Sequence, residues 1–160
     1  MSLPNDIYSQ RILELAASIP RTKRLAGPGA TATAHSKLCG STVTVDLVME
    51  ADVITDYGQT VRACLLGQTS ASVMGREVVG STAAELRTVG AAMRKMLKEG
   101  GPAPSGRWTD LAVLEPVRDY KARHASTLLV FDAVEHAITE IEAKRKEHQK
   151  PACDIPAPSV

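Results

Sequence analysis

The sequence predicts an α+β fold: a small antiparallel β-sheet with helices packed mainly on one face, and a long C-terminal helix. Three observations carry this. Residues 41–50 and 53–63 read as strands, and the turn between them is short enough to make them antiparallel neighbours. Residues 81–97 place Leu86, Val89, Met93, Met96 and Leu97 on one helical stripe. Residues 126–147 do the same with Leu129, Ala133, Ala137 and Ile141.

The elements follow in order. Ile7, Ile12, Leu15 and Ile19 recur at helical spacing, so residues 7–19 form an amphipathic helix that Pro20 ends. Residues 21–37 are a polar connector rich in Gly, Ala and Thr, with a short strand near 30–34. In the strand 41–50, Val43, Val45, Leu47 and Met49 face one way and Thr42, Thr44, Asp46 and Val48 the other. Asp46 and Asp56 read as surface charges. The small-residue segment 68–75 is a short helix beginning just after Cys64. Ser81 is the expected N-cap of the next helix, with Glu85 near its first turn, and Glu99-Gly100-Gly101-Pro102 ends it. Residues 101–107 form a loop, and 108–117 hold one helical turn. Residues 1–150 form a single domain, followed by a Pro-rich flexible tail over 151–160 with Pro151, Pro156 and Pro158.

Composition narrows the class. A chain of 160 residues with 44% apolar and only 3% aromatic residues builds one core from Val, Leu, Ile, Ala and Met. A net charge of +1 argues against nucleic acid as the main partner. There is no apolar run of membrane-spanning length and no signal peptide, so no membrane association is expected. Three widely spaced cysteines do not make a disulfide framework, and a reducing cytoplasm is the expected location. Phosphate loops, Rossmann fingerprints and a Ser-His-Asp order are lacking, which leaves kinase, dehydrogenase and hydrolase functions without support.

Chemistry gathers at Cys39-Gly40-Ser41 and at Cys64, 25 residues later. Both thiols stand at strand–loop junctions, and Gly40 suits a tight, exposed turn. Such a pair can hold a soft metal, an iron–sulfur cluster or a reactive sulfur. Taken alone, two such cysteines read as small buried residues at strand ends. Cys153, in the tail, follows no metal spacing and reads as an incidental thiol. His35, four residues before Cys39, reads as an exposed loop histidine within reach of the site.

The order of these pieces resembles the iron–sulfur cluster scaffold family of NifU N-terminal domains, IscU and SufU, over roughly residues 7–140. Tyr8, Ile12-Leu13 and Ile19-Pro20-Arg21 are similar to its first helix and terminating proline. Cys39-Gly40 is similar to the start of its Cys-Gly-Asp motif, and Cys64 falls where a second cysteine is expected. Ser70-Ala71-Ser72-Val73-Met74 resembles the helix after that cysteine, and Val79-Gly80-Ser81 the entry to the next. Tyr120-Lys121-Ala122-Arg123 resembles the approach to a third cysteine. The chain is a divergent member: Ser41 stands in place of the Asp, Ser126 at the third cysteine's position, and Ala125 where the IscU branch has histidine.

The resemblance implies that Cys39 and Cys64, with His124 as a third ligand, hold a transient 2Fe-2S cluster, iron or zinc with an open fourth position; His124, one residue before the branch's histidine position, reads equally as a helix N-terminal histidine that caps or contacts solvent. Neutral Ser41 and Ser126 hydroxyls are poor donors to such metals, and Ser126 reads as the N-cap of the last helix. Arg123 reads as a surface ion-pair partner or, alternatively, as a charge that steadies a thiolate. The implied function is cluster assembly scaffolding without enzymatic turnover, with a cysteine desulfurase and iron–sulfur acceptor proteins as partners. The alternative is a degenerate scaffold fold that serves as an interaction, regulatory or sulfur-relay module without cluster binding.

Overall fold

The computed structural model describes residues 9–38 and 40–154, with side chains described as far as residue 147. Three strands, β1 (Ala30–His35), β2 (Thr42–Glu50) and β3 (Val53–Arg62), form an antiparallel sheet in the order β1-β2-β3. The expected α+β architecture holds. Helix α1 (Gln10–Ala17) precedes the sheet, and α2 (Leu65–Glu77), α3 (Ala83–Glu99) and the long α4 (His124–Asp154) follow it. Two 3₁₀ stretches, Gly106–Asp119 and Lys121–Arg123, join α3 to α4.

The alternation in β2 sets the layers. Val43, Val45 and Leu47 are fully buried, and α4 packs across β1 and β2. Helix α2 lies beside β3 and between α1 and α4. Its small residues explain that central place. Ser70 Oγ donates to the Thr127 carbonyl at 2.7 Å, and Thr69 Oγ1 donates to the carbonyls of Leu65 and Ile12. A buried helix of small hydroxylated residues lets three neighbours approach closely while its polar atoms stay paired.

Several expected details differ. Asp46 is completely buried rather than a surface charge. The connector before β1 folds back over the outer face of the sheet. There Asp46 accepts from Arg24 Nε at 2.6 Å, from Thr31 Oγ1 at 2.6 Å and from the Leu25 amide at 3.0 Å. Burial pushes the Asp46 carboxyl up, but these donors outweigh it and hold it below its ordinary value. Just before the connector, the Pro20 carbonyl accepts from Gln59 Nε2, which also donates to the Ala71 carbonyl, tying the start of the connector to β3 and α2.

The N-cap of α3 is Thr82, whose hydroxyl accepts from the Glu85 amide at 3.0 Å. Ser81 instead donates to the Glu77 carbonyl. The segment read as one helical turn is a 14-residue 3₁₀ stretch that buries Trp108, Leu111, Leu114 and Val117. Helix α4 begins at His124, two residues before the expected start, and continues past residue 150 to Asp154. The first helix is described from Gln10; Ile7 and Tyr8 lie outside the described residues.

Candidate metal and sulfur site

The site is built where the β1–β2 loop, the start of α2 and the start of α4 meet. The loop is closed by the Ser36 amide donating to the Ser41 carbonyl at 2.8 Å and the Gly40 amide donating to the Ser36 carbonyl at 2.9 Å. Gly40 has φ +71°, a left-handed conformation that glycine adopts without a Cβ penalty, as the Cys-Gly pair suggested. Cys39 itself lies outside the described residues. Two positions on, buried Ser41 accepts through Oγ from the Cys64 amide at 3.3 Å. That contact brings the loop to the entrance of α2.

Cys64 is the N-cap residue of α2 and is half-buried. Its Sγ shares a hydrogen bond with Ser126 Oγ at 3.2 Å. Burial pushes the thiol up. Ser126, the amides of Gly67 and Leu66, and the Arg123 side chain outweigh that burial and leave the thiol below its ordinary value. The amides act as the positive end of a helix, without closing a capping bond. Arg123 is the smallest of these contributions.

Ser126 is not an N-cap. It sits within the first turn of α4, where its hydroxyl donates to the Arg123 carbonyl at 3.2 Å. One hydroxyl carries one proton. While Cys64 is a thiol, its S–H donates to Ser126 Oγ and the serine proton points to Arg123. Once Cys64 ionises, the serine proton turns to the sulfur. The rotor follows the charge and stabilises the thiolate without moving a heavy atom.

Gly67 makes this contact possible. A Cβ there would stand 2.7 Å from Ala63 Cβ and 2.9 Å from the Ser126 carbonyl oxygen. Helices α2 and α4 thus touch backbone to backbone beside the sulfur.

His124 occupies a different place. Its Nε2 lies 3.1 Å from the carbonyl oxygens of both Val117 and Arg118. Carbonyls only accept, so Nε2 carries the proton and donates. The ring is 8% exposed and pins the end of the 3₁₀ stretch to α4. Residues two apart on a helix are separated by about 200° around its axis. With Ser126 facing Cys64, His124 faces away. His35 is exposed at the end of β1, paired with Thr42. Cys153 lies in the last turn of α4, beyond the described side chains.

Among the described residues, no three His, Cys, Asp or Glu side chains converge as a metal site. Their contribution is a single activated thiol with a hydroxyl beside it. What sequence reasoning missed is Ser126 as the sulfur's direct neighbour. The signal was available in the family resemblance, which put Ser126 at the third cysteine's position.

Comparison with known proteins agrees with this architecture. No protein-family model matches the chain. The crystal structure of a nitrogen-fixing NifU-like protein (N-terminal) from Brucella abortus is 60% identical, with a TM-score of 0.88, over 89% of this chain and 99% of that one. A putative iron–sulfur cluster assembly scaffold protein for the SUF system from Fervidobacterium islandicum shares the fold, with a TM-score of 0.75 at 21% identity over 84% of this chain and 98% of that one. Among curated proteins, the iron–sulfur cluster assembly scaffold protein IscU of Thermotoga maritima is 24% identical over 135 residues, 84% of this chain and 94% of its own. The chain belongs to the family of NifU-like N-terminal domains, IscU and SufU.

Proposed function

We propose that this chain is an iron–sulfur cluster assembly scaffold of reduced ligand set, in which Cys64 and Cys39 take up iron and sulfide as cargo. The observation that carries this is the Cys64 sulfur at the N-terminus of α2, 3.2 Å from Ser126 Oγ and held toward the thiolate. Thiolates are the usual ligands of such clusters, and metal binding displaces a thiol proton, so a lowered thiol favours loading. Relatives described as scaffolds support the same reading. The partners are a cysteine desulfurase and iron–sulfur acceptor proteins, and the cytoplasm is the location this role requires. His124 would join as a ligand only after giving up both carbonyls and unwinding the first turn of α4. The set therefore rests on the two thiols, and a cluster so held is labile.

One observation favours a second reading, sulfur relay. Cys64 is a lone activated thiol among the described residues. Its thiolate would attack the terminal sulfur of a persulfide on the donor protein. A new S–S bond forms at Cys64, the donor's S–S bond breaks, and the donor thiolate leaves and takes up a proton. Anaerobic incubation with ferrous iron, sulfide and a cysteine desulfurase separates the two. The scaffold predicts a visible chromophore with matching iron and sulfide, lost in Cys64→Ala and in Cys39→Ala and kept in His124→Ala. Stoichiometric zinc without a chromophore, lost in His124→Ala, would refute it.

A further inference from the structure

On the side of α4 turned away from Cys64, a cavity of about 540 Å³ opens between α3, the 3₁₀ stretches and the first turns of α4. Its floor includes the buried side chains of Leu97 and Leu128. Its walls carry Arg94, Lys98, Arg118 and Lys121 against one carboxylate, Asp132, in a chain whose whole net charge is +1. Arg94 is neutralised: it pairs with Asp132 at 2.7 Å and Glu135 at 3.0 Å. Lys98, Arg118 and Lys121 are exposed and have no ion-pair or hydrogen-bond partner for their charged ends among the described residues.

Most other arginines here are spent on carboxylates. Arg11, Arg21, Arg24, Arg76, Arg87 and Arg107 each have one. Unpaired lysines such as Lys23 and Lys95 occur singly elsewhere among the described residues; what marks this opening is that three unpaired cations, one of them an arginine, line it together.

We infer that this groove is a docking site for an acidic, partly apolar peptide segment of a partner protein. The unpaired cations supply charge complementarity to carboxylates. The leucine floor gives no advantage to a simple oxyanion but suits aliphatic side chains. The volume lies within the roughly 300–1,000 Å³ range of ligand sites, far above the roughly 30 Å³ share of a water molecule. Docked there, the segment touches the first turn of α4 from the side opposite Ser126. Partner binding and the thiol site thus share one helical turn. This inference does not depend on what Cys64 carries.

The test uses the full chain and a short fluorescent peptide of alternating glutamate and leucine, read by anisotropy. Saturable binding is expected, weakened by at least about tenfold in the double variant Arg118→Glu, Lys121→Glu. The exposed Lys23→Glu, far along the chain from the groove, should leave it unchanged. Inorganic phosphate at the peptide's concentration should not displace it, and a glutamine–leucine peptide should bind at least about tenfold more weakly. Circular dichroism confirms that the variants fold. Equal binding by the groove variant, an equal loss in Lys23→Glu, displacement by phosphate, or equal binding of the glutamine peptide each overturns the inference.

Discussion

Gly67→Ala probes the contact on which the site depends. The added Cβ would stand 2.7 Å from Ala63 Cβ and 2.9 Å from the Ser126 carbonyl oxygen. Ordinary contacts begin near 3.4 Å, so α2 and α4 must separate by roughly half an ångström or more. Neither neighbour is the end of a flexible side chain, and overpacking of this kind costs about 1–3 kcal/mol. Alanine recovers about 1 kcal/mol through helix propensity. The net loss is up to about 2 kcal/mol, and with a urea m-value near 2 kcal/mol/M the midpoint falls by up to roughly 1 M. The separation also draws Ser126 from Cys64, so the thiol's pKa rises, measured by alkylation rate against pH in a Cys39→Ser, Cys153→Ser background. Gly27→Ala is the control: its Cβ meets nothing within 4 Å, and it should be neutral or up to about 1 kcal/mol stabilising. A Gly67→Ala protein as stable as the original, with an unchanged thiol profile, would refute the backbone contact between α2 and α4.

Further predictions follow from the same geometry. Ser126→Ala removes the hydroxyl at 3.2 Å from Cys64 and should raise the thiol's pKa, seen as slower alkylation at neutral pH; an unchanged profile removes Ser126 from the thiolate's support. Ser126→Cys places a third thiol beside Cys64 and should increase the iron and sulfide retained through gel filtration after anaerobic loading; no increase would show that ligand number does not limit retention. Asp46→Ala deletes charge-assisted hydrogen bonds to a fully buried carboxylate and should cost about 2–3 kcal/mol in urea unfolding. Because the folded carboxyl lies below its unfolded value, Asp46 stabilises the fold above about pH 4 and loses that contribution as pH falls further. The stability gap between Asp46→Ala and the original should narrow on acidification; a gap that stays constant contradicts the assigned charge.

The sheet was legible because β2 alternates with a period of two and a two-residue turn makes β2 and β3 antiparallel neighbours; β3 itself breaks the alternation where Thr55 bulges between the Val48–Asp56 and Met49–Ile54 pairs. The Asp46 error shows where that logic stops. Asp46 does lie on the outer face, but the connector at Arg24 and Leu25 covers it there. Gly58, paired with Asp46 across the sheet, carried the missing signal: a Cβ on it would strike the Lys23 carbonyl, and a mid-strand glycine marks close backbone approach. The 3₁₀ stretch was equally readable, since Trp108, Leu111, Leu114 and Val117 recur every three residues, the period of that helix. At the site, the misjudgement was the start of α4. A helix beginning at Ser126 leaves His124 free to turn toward Cys64. A helix beginning at His124 gives Ser126 to the sulfur and sends the imidazole to the opposite side.

The central claim is that a cluster assembles on the Cys64 thiolate. Visible circular dichroism during anaerobic loading with ferrous iron, sulfide and a catalytic amount of cysteine desulfurase, read against the desulfurase alone, tests it most directly, because a cluster held in the asymmetric protein environment adds a signal that free iron and sulfide do not. The original chain and Cys153→Ser should develop the same spectrum, and Cys64→Ser should develop none. A spectrum that survives Cys64→Ser, or its absence from the original chain, would contradict the account.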